Sequence, residues 1–186
     1  MYGHTWLGAA ASFLDMWVVM MVAMMLPSLV PRLWRYRQAG LGGLTALVGV
    51  GYFFVWTLFG MAAFPLSSAL ARATPIVLGV VVLLAGFVQL TAWKARHLAC
   101  CRAAPVRGRT AWQYGLSLGI HCTKSSAGLM AILLVIGVMD LRAMAVVAAA
   151  ITAERLAPAG ERVARATGAV VVAAGFLLIA RAAGLG

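Results

Sequence analysis

The sequence predicts an all-α, polytopic membrane protein: a bundle of six transmembrane helices forming one integral membrane domain over residues 1–186. Three observations predict it. Apolar residues make up 64% of the chain and charged residues only 10%, with a mean hydropathy of +0.99; an ordinary soluble domain is roughly 25% charged. The apolar residues fall in long segments without period-two alternation, which argues against a β-barrel. The basic residues lie almost wholly between those segments. So much apolar surface exceeds what one soluble core can hide, and its solvent must be lipid. The pI of about 11.1 does not signal nucleic acid, because the positive charge is scattered rather than gathered in one patch. Three cysteines are too few for a disulfide scaffold.

The six segments are 13–33, 44–64, 75–93, 111–139, 142–157 and 163–180. A helix needs about 20 apolar residues to cross the hydrocarbon core. The fifth segment falls short and calls for little tilt or thinned lipid. Most of the prolines fall near segment ends, but Pro27 lies inside the first, where a kink is expected. The fifth and sixth segments are rich in alanine and glycine, including Gly168 and Gly175, which lets helix backbones approach closely. The segment 94–110 is expected to be a loop too short to fold alone.

Orientation follows from the basic residues. Arg32, Arg35 and Arg37, then Lys94, Arg96, Arg102, Arg107 and Arg109, then Arg155, Arg162 and Arg165 occupy alternate loops; Arg72, Arg142 and Arg181 are the few on the other side. The positive-inside rule puts the odd-numbered loops in the cytoplasm and both termini outside, with a bacterial inner membrane as the location. Tyr2, Trp6, Trp34, Tyr36, Trp93, Trp112 and Tyr114 sit near segment ends, where interface aromatics belong. No basic residue precedes the first apolar run and Asp15 interrupts it, so a signal peptide is not expected.

Chemistry inside the membrane has three candidate locations. The first helix holds Met16, Met20, Met21, Met24 and Met25. Met16, Met20 and Met24 stack on one face at four-residue spacing. Thioethers are soft and neutral, so they bind Cu(I) without losing a proton; methionine is equally a flexible gap-filler in apolar helices. Beyond the third helix, His97 and Cys101 are four apart and share a face on a continued helix. Nearby Lys94, Arg96 and Arg102 favour the ligating thiolate, or hold phospholipid headgroups in a basic juxtamembrane loop. The fourth helix carries Ser117, His121, Cys122, Lys124, Ser125 and Ser126. A lysine near mid-bilayer should face the bundle interior and have a partner: Glu154, Gln89 or Asp15. That network is either functional or a structural pair that fixes helix rotation. With four carboxylates in the chain, no phosphate loop and no HExxH motif, an enzyme is not expected.

The stretch Met16-Trp17-Val18-Val19-Met20-Met21-Val22-Ala23-Met24-Met25-Leu26-Pro27-Ser28 resembles the signature of a bacterial family of predicted metal-binding integral membrane proteins, some of them called copper chaperones. Lys94…Cys101-Arg102…Pro105, Gly119…Cys122…Leu129-Met130, Gly137-Val138-Met139 and Glu154-Arg155-Leu156-Ala157-Pro158 resemble it in the same order. The resemblance implies copper as the metal. It also implies Cys-Leu-x-x-Cys-Arg where this chain has His97-Leu98-Ala99-Cys100-Cys101-Arg102. Where it implies Cys-x-Gly-Cys-Cys-Trp, this chain has Cys122-Thr123-Lys124-Ser125-Ser126-Ala127. A thiolate-rich site on the fourth helix is therefore not expected here.

Two functions follow. One is a metal handler: the methionine helix takes Cu(I), and His121, Cys122, His97 and Cys101 receive it, with a donor or acceptor protein as partner. The other is a non-catalytic accessory subunit packed in the lipid bilayer against a larger membrane complex. Nucleic acid is not expected as a partner of either.

Overall fold

The computed structural model describes residues 3–38, 42–102, 110–137 and 140–184, the backbone alone for 3–7 and 100–102. Its described residues form α-helices, with a π-helical end at Arg37 and Gln38, one short 3-10 turn, Gly42–Leu44, and no strand. The helices are α1 (Gly3–Tyr36), α2 (Thr45–Leu70), α3 (Pro75–Leu90), α4 (Ala92–Arg102), α5 (Ala111–Ile136), α6 (Leu141–Leu156) and α7 (Gly160–Ala182). Among the described residues four spans are long and apolar enough to cross a membrane: Gly8–Tyr36, Gly42–Leu70, Ala111–Ile136 and Gly160–Ala182. A fifth exists if Pro75–Leu90 and Ala92–Ala99, bent by 61°, count as one. The expected count of six is thus met in part.

Two departures from the expected segments have local causes. The third segment was expected to run unbroken to residue 93, but it ends at Leu90. Thr91 is extended (φ −75°, ψ 147°), and its hydroxyl donates to the Val88 carbonyl at 2.7 Å. A threonine side chain that bonds back to the chain competes with the helical ladder. Helix then resumes as α4, so Lys94 lies in a helix and not in a loop. The fifth segment begins at Asp140, whose carboxylate accepts from the amides of Arg142 (2.8 Å) and Ala143 (3.1 Å). That N-cap satisfies two donors that the first turn leaves without partners. α1 runs helical through Pro27 and Pro31, and α2 through Pro65.

The chain divides into two compact units, one of Met1–Leu66 with Ala104–Thr123, the other of Ser67–Ala103 with Lys124–Gly186. In the first, α1 runs antiparallel to α2. The Trp17 indole donates to the Trp56 carbonyl at 3.0 Å, and Phe13 meets Phe64 with ring centroids 5.2 Å apart. Gly60 makes room for Trp17: a methyl group there would lie 2.5 Å from the indole. The start of α5 runs parallel to α2, because Gly115 faces Val48, Gly51 faces Leu116, and Gly119 faces Tyr52 and Val55.

In the second unit α3 and α7 pack as a close antiparallel pair. Gly79 meets Ile179, Gly175 meets Leu83, Gly86 meets Val172, and Gly168 meets Leu90. Each step up one helix is matched by a step down the other. The glycines fall seven apart on both helices, the period of a left-handed helix pair. Without a hydrophobic driving force between helices in lipid, such backbone approach supplies the dispersion contacts that hold them.

Candidate functional site

The second unit buries a polar cluster. Its break after α3 and the restart as α4 turn Lys94 inward, where it is 1% exposed. The ammonium donates to Glu154 Oε2 at 2.7 Å and to the amide oxygen of Gln89. Gln89 Nε2 in turn donates to Glu154 Oε1 at 3.2 Å. Three side chains from α3, α4 and α6 thus close a ring in which both carboxylate oxygens and both ends of the amide are used. Next to it on α6, buried Arg155 donates to Ser126 Oγ at 2.7 Å and to Ser125 Oγ at 3.4 Å. A carboxylate and two cations away from water require such pairing, since the desolvation cost of each ion is several kcal/mol.

This geometry corrects the expected charge network. Glu154 and Gln89 are in it, but their cation is Lys94. Lys124 is exposed, and so is Asp15. The reason is helical phase: α5 turns Ser125, Ser126, Leu129, Met130 and Leu133 inward, which leaves position 124 on the outer flank. Arg155, Ser125 and Ser126 were not singled out as a set from sequence. The adjacent serines, standing where the family resemblance has two cysteines, were the available signal: hydroxyls accept from a guanidinium, and thiols do so weakly.

The soft-ligand candidates lie mostly in the first unit. Met20, Met21, Met24 and Met25 are all buried, along with Trp17 and Leu29 on the same helix; Met16 is half-buried. Cys122 is buried, carries no disulfide, and its Sγ lies 2.6 Å from the Tyr52 hydroxyl. Tyr52 is a further residue that sequence reasoning missed. His121 is half-buried. In the second unit, His97 is half-buried with its ring edge-on to Trp93, centroids 4.5 Å apart. The backbone of α4 carries His97 and Cys101 four residues apart on one helix, while the side chain of Cys101 lies outside the described residues. Among the described residues no group of three or more His, Cys, Asp or Glu side chains is arranged to hold a metal ion.

No curated protein and no solved structure matches this chain. A family model, PpoB2, described as copper chaperone, matches residues 14–178. The match starts just before the methionine cluster and runs through all of the polar cluster in α3 to α6. On that extent the chain belongs to the PpoB2 copper chaperone family.

Proposed function

We propose that this chain is a membrane-embedded copper handler whose cargo is Cu(I), taken up by the thioethers of Met16, Met20 and Met24 and passed towards Cys122 and His121, with His97 and Cys101 as further receivers. The observation that carries the reading is the family match over residues 14–178. The chemistry of the donors agrees with it. Four methionines of α1 are buried, and a neutral thioether is the one metal ligand that costs little to bury empty in lipid. With no carboxylate- or imidazole-rich group among the described residues, the site suits a soft monovalent ion better than zinc or a hard divalent ion. The test is Cu(I) titration of protein purified in mild detergent against a chromogenic Cu(I) chelator. About one tightly held equivalent in the native chain, lost in Met20→Leu/Met24→Leu with the fold retained, is the expected result. Equal affinity in both proteins overturns it.

One observation favours a second reading, an accessory subunit of a larger membrane complex. Ser125 and Ser126 are engaged by Arg155, so α5 offers hydrogen bonding where the family resemblance has thiols. Stable co-purification of a partner without copper would favour this reading over the first.

For the topology we infer six crossings of a bacterial inner membrane with both termini outside. Helix direction supports the count. The parallel run of α2 and α5 requires an odd number of crossings between them, so α3 and α4 together cross once. The antiparallel run of α3 and α7 requires an even number between them. α5 supplies one, and this reading assigns the other to α6. α6 has 16 residues, about 24 Å of helix at 1.5 Å per residue, short of the roughly 30 Å core; local thinning accommodates such a span.

A further inference from the structure

The α3–α4 break opens a cavity of about 300 Å³ within the second unit. Its walls combine three kinds of surface. Leu98 and Ala164 are apolar, Gln89 and Thr91 are polar, and Glu161 and Arg165 from the first turns of α7 bring one charge of each sign. The two charged side chains are 54% and 68% exposed, with their nearest charged atoms 3.5 Å apart.

The inner wall carries a positive bias. The chain has four Asp and Glu residues, and Asp15, Asp140 and Glu161 are exposed. Among the described residues Glu154 is therefore the one buried carboxylate, set against two buried cations, Lys94 and Arg155. Gln89 borders the cavity and touches both Lys94 and Glu154, which places that ion pair just behind the cavity wall. In a region poor in water, an unbalanced charge acts strongly over several ångströms. An anionic group is drawn inward, beside Arg165. Glu161 favours a cation close by, one that donates hydrogen bonds. On the flank leading away from the cavity, α3 exposes Leu84, Phe87, Val88 and Leu90, a track for hydrocarbon.

Phosphate, ammonium and hydrocarbon in that arrangement describe one class of ligand. We propose that this cavity is a phospholipid site selective for a headgroup that carries a primary ammonium beside its phosphate. Arg165 binds the phosphate and Glu161 accepts hydrogen bonds from the ammonium. The inference does not depend on copper handling: it rests on the second unit and is read out without metal.

The experiment uses the full chain, delipidated in mild detergent. Its thermal unfolding midpoint is measured in mixed micelles with phosphatidylethanolamine, phosphatidylcholine or phosphatidylglycerol of equal acyl chains, and retained lipid is counted by native mass spectrometry. The expected result is the largest upward shift, and one retained molecule, with phosphatidylethanolamine. Glu161→Gln should erase its advantage over phosphatidylcholine, whose quaternary ammonium donates no hydrogen bond. Arg165→Gln should reduce the shift with all three lipids. Both residues are exposed, so these variants keep the fold, and their midpoints without lipid check that. Equal shifts for phosphatidylethanolamine and phosphatidylcholine in the native chain overturn the proposal. So does a larger shift with phosphatidylglycerol, which would assign an anion site without an ammonium subsite. Unchanged selectivity in Glu161→Gln overturns it as well.

Discussion

At the scale of single residues, the strongest energetic statement concerns Lys94 and Glu154. Both are almost wholly buried and 2.7 Å apart. Replacing Glu154 by Gln leaves buried Lys94 without its carboxylate, and the loss should be about 3–5 kcal/mol. The double replacement Lys94→Met/Glu154→Gln removes the unpaired charge and should cost clearly less. Unfolding midpoints of the three proteins in one detergent decide it, and a double variant no better than Glu154→Gln contradicts the pairing. The methionines behave differently. Met20→Leu and Met24→Leu conserve volume, so each should cost less than about 1.5 kcal/mol. Copper binding should nevertheless disappear, because leucine has no lone pair. Trp56 gives a third case. Its indole N–H is buried with no acceptor among the described residues. Trp56→Phe therefore removes a donor whose burial is uncompensated, and by that account it should be milder than Trp17→Phe, which breaks the bond to the Trp56 carbonyl. A larger loss for Trp56→Phe in the same unfolding assay would point to an acceptor for that indole.

At the scale of elements, glycine placement fixes how helices meet. A side chain at Gly86 would collide with the backbone nitrogen of Val172 at 2.8 Å, and one at Gly175 with the Leu83 backbone at the same distance. Backbone cannot swing aside as a side-chain tip can. Gly86→Leu and Gly175→Leu should therefore each destabilise by more than the roughly 1–3 kcal/mol typical of overpacking, while Gly49→Leu, with open space around it, should be nearly silent. A thermal melt of the three variants checks the contrast. The α3–α4 break is a second element-scale feature. Thr91→Ala removes the hydroxyl that bonds the Val88 carbonyl and should favour a straighter helix, read as increased helicity by circular dichroism with weaker burial of Lys94.

At the scale of the whole molecule, the six-crossing reading has a direct test. Single cysteines placed at Asp140 and at Pro158, in a background with Cys100, Cys101 and Cys122 replaced, flank α6. If α6 crosses, an impermeant thiol reagent applied to intact cells labels position 140 and spares position 158. Labelling of both, or of neither, would make α6 a segment that enters and leaves on one side.

Much of this molecule was legible without coordinates, for a physical reason. Composition and segment length decide solvent, and lipid leaves helices and closed barrels as the only ways to satisfy the backbone. The apolar runs, the loops marked by arginine and the methionine helix followed from local sequence alone. The ring of Gln89, Lys94 and Glu154 did not. It depends on a break at Thr91 that apolar periodicity does not report, since Leu90 and Trp93 are both apolar. It also depends on the rotational phase of α5, where one residue, 100° of turn, separates exposed Lys124 from buried Ser125. The sequence by itself determined which segments are long and apolar enough to cross a membrane, to within one or two helices. Which lysine meets the single buried glutamate was decided only by tertiary structure, because the salt bridge depends on α6 meeting α4, with its two partners 60 residues apart in the chain.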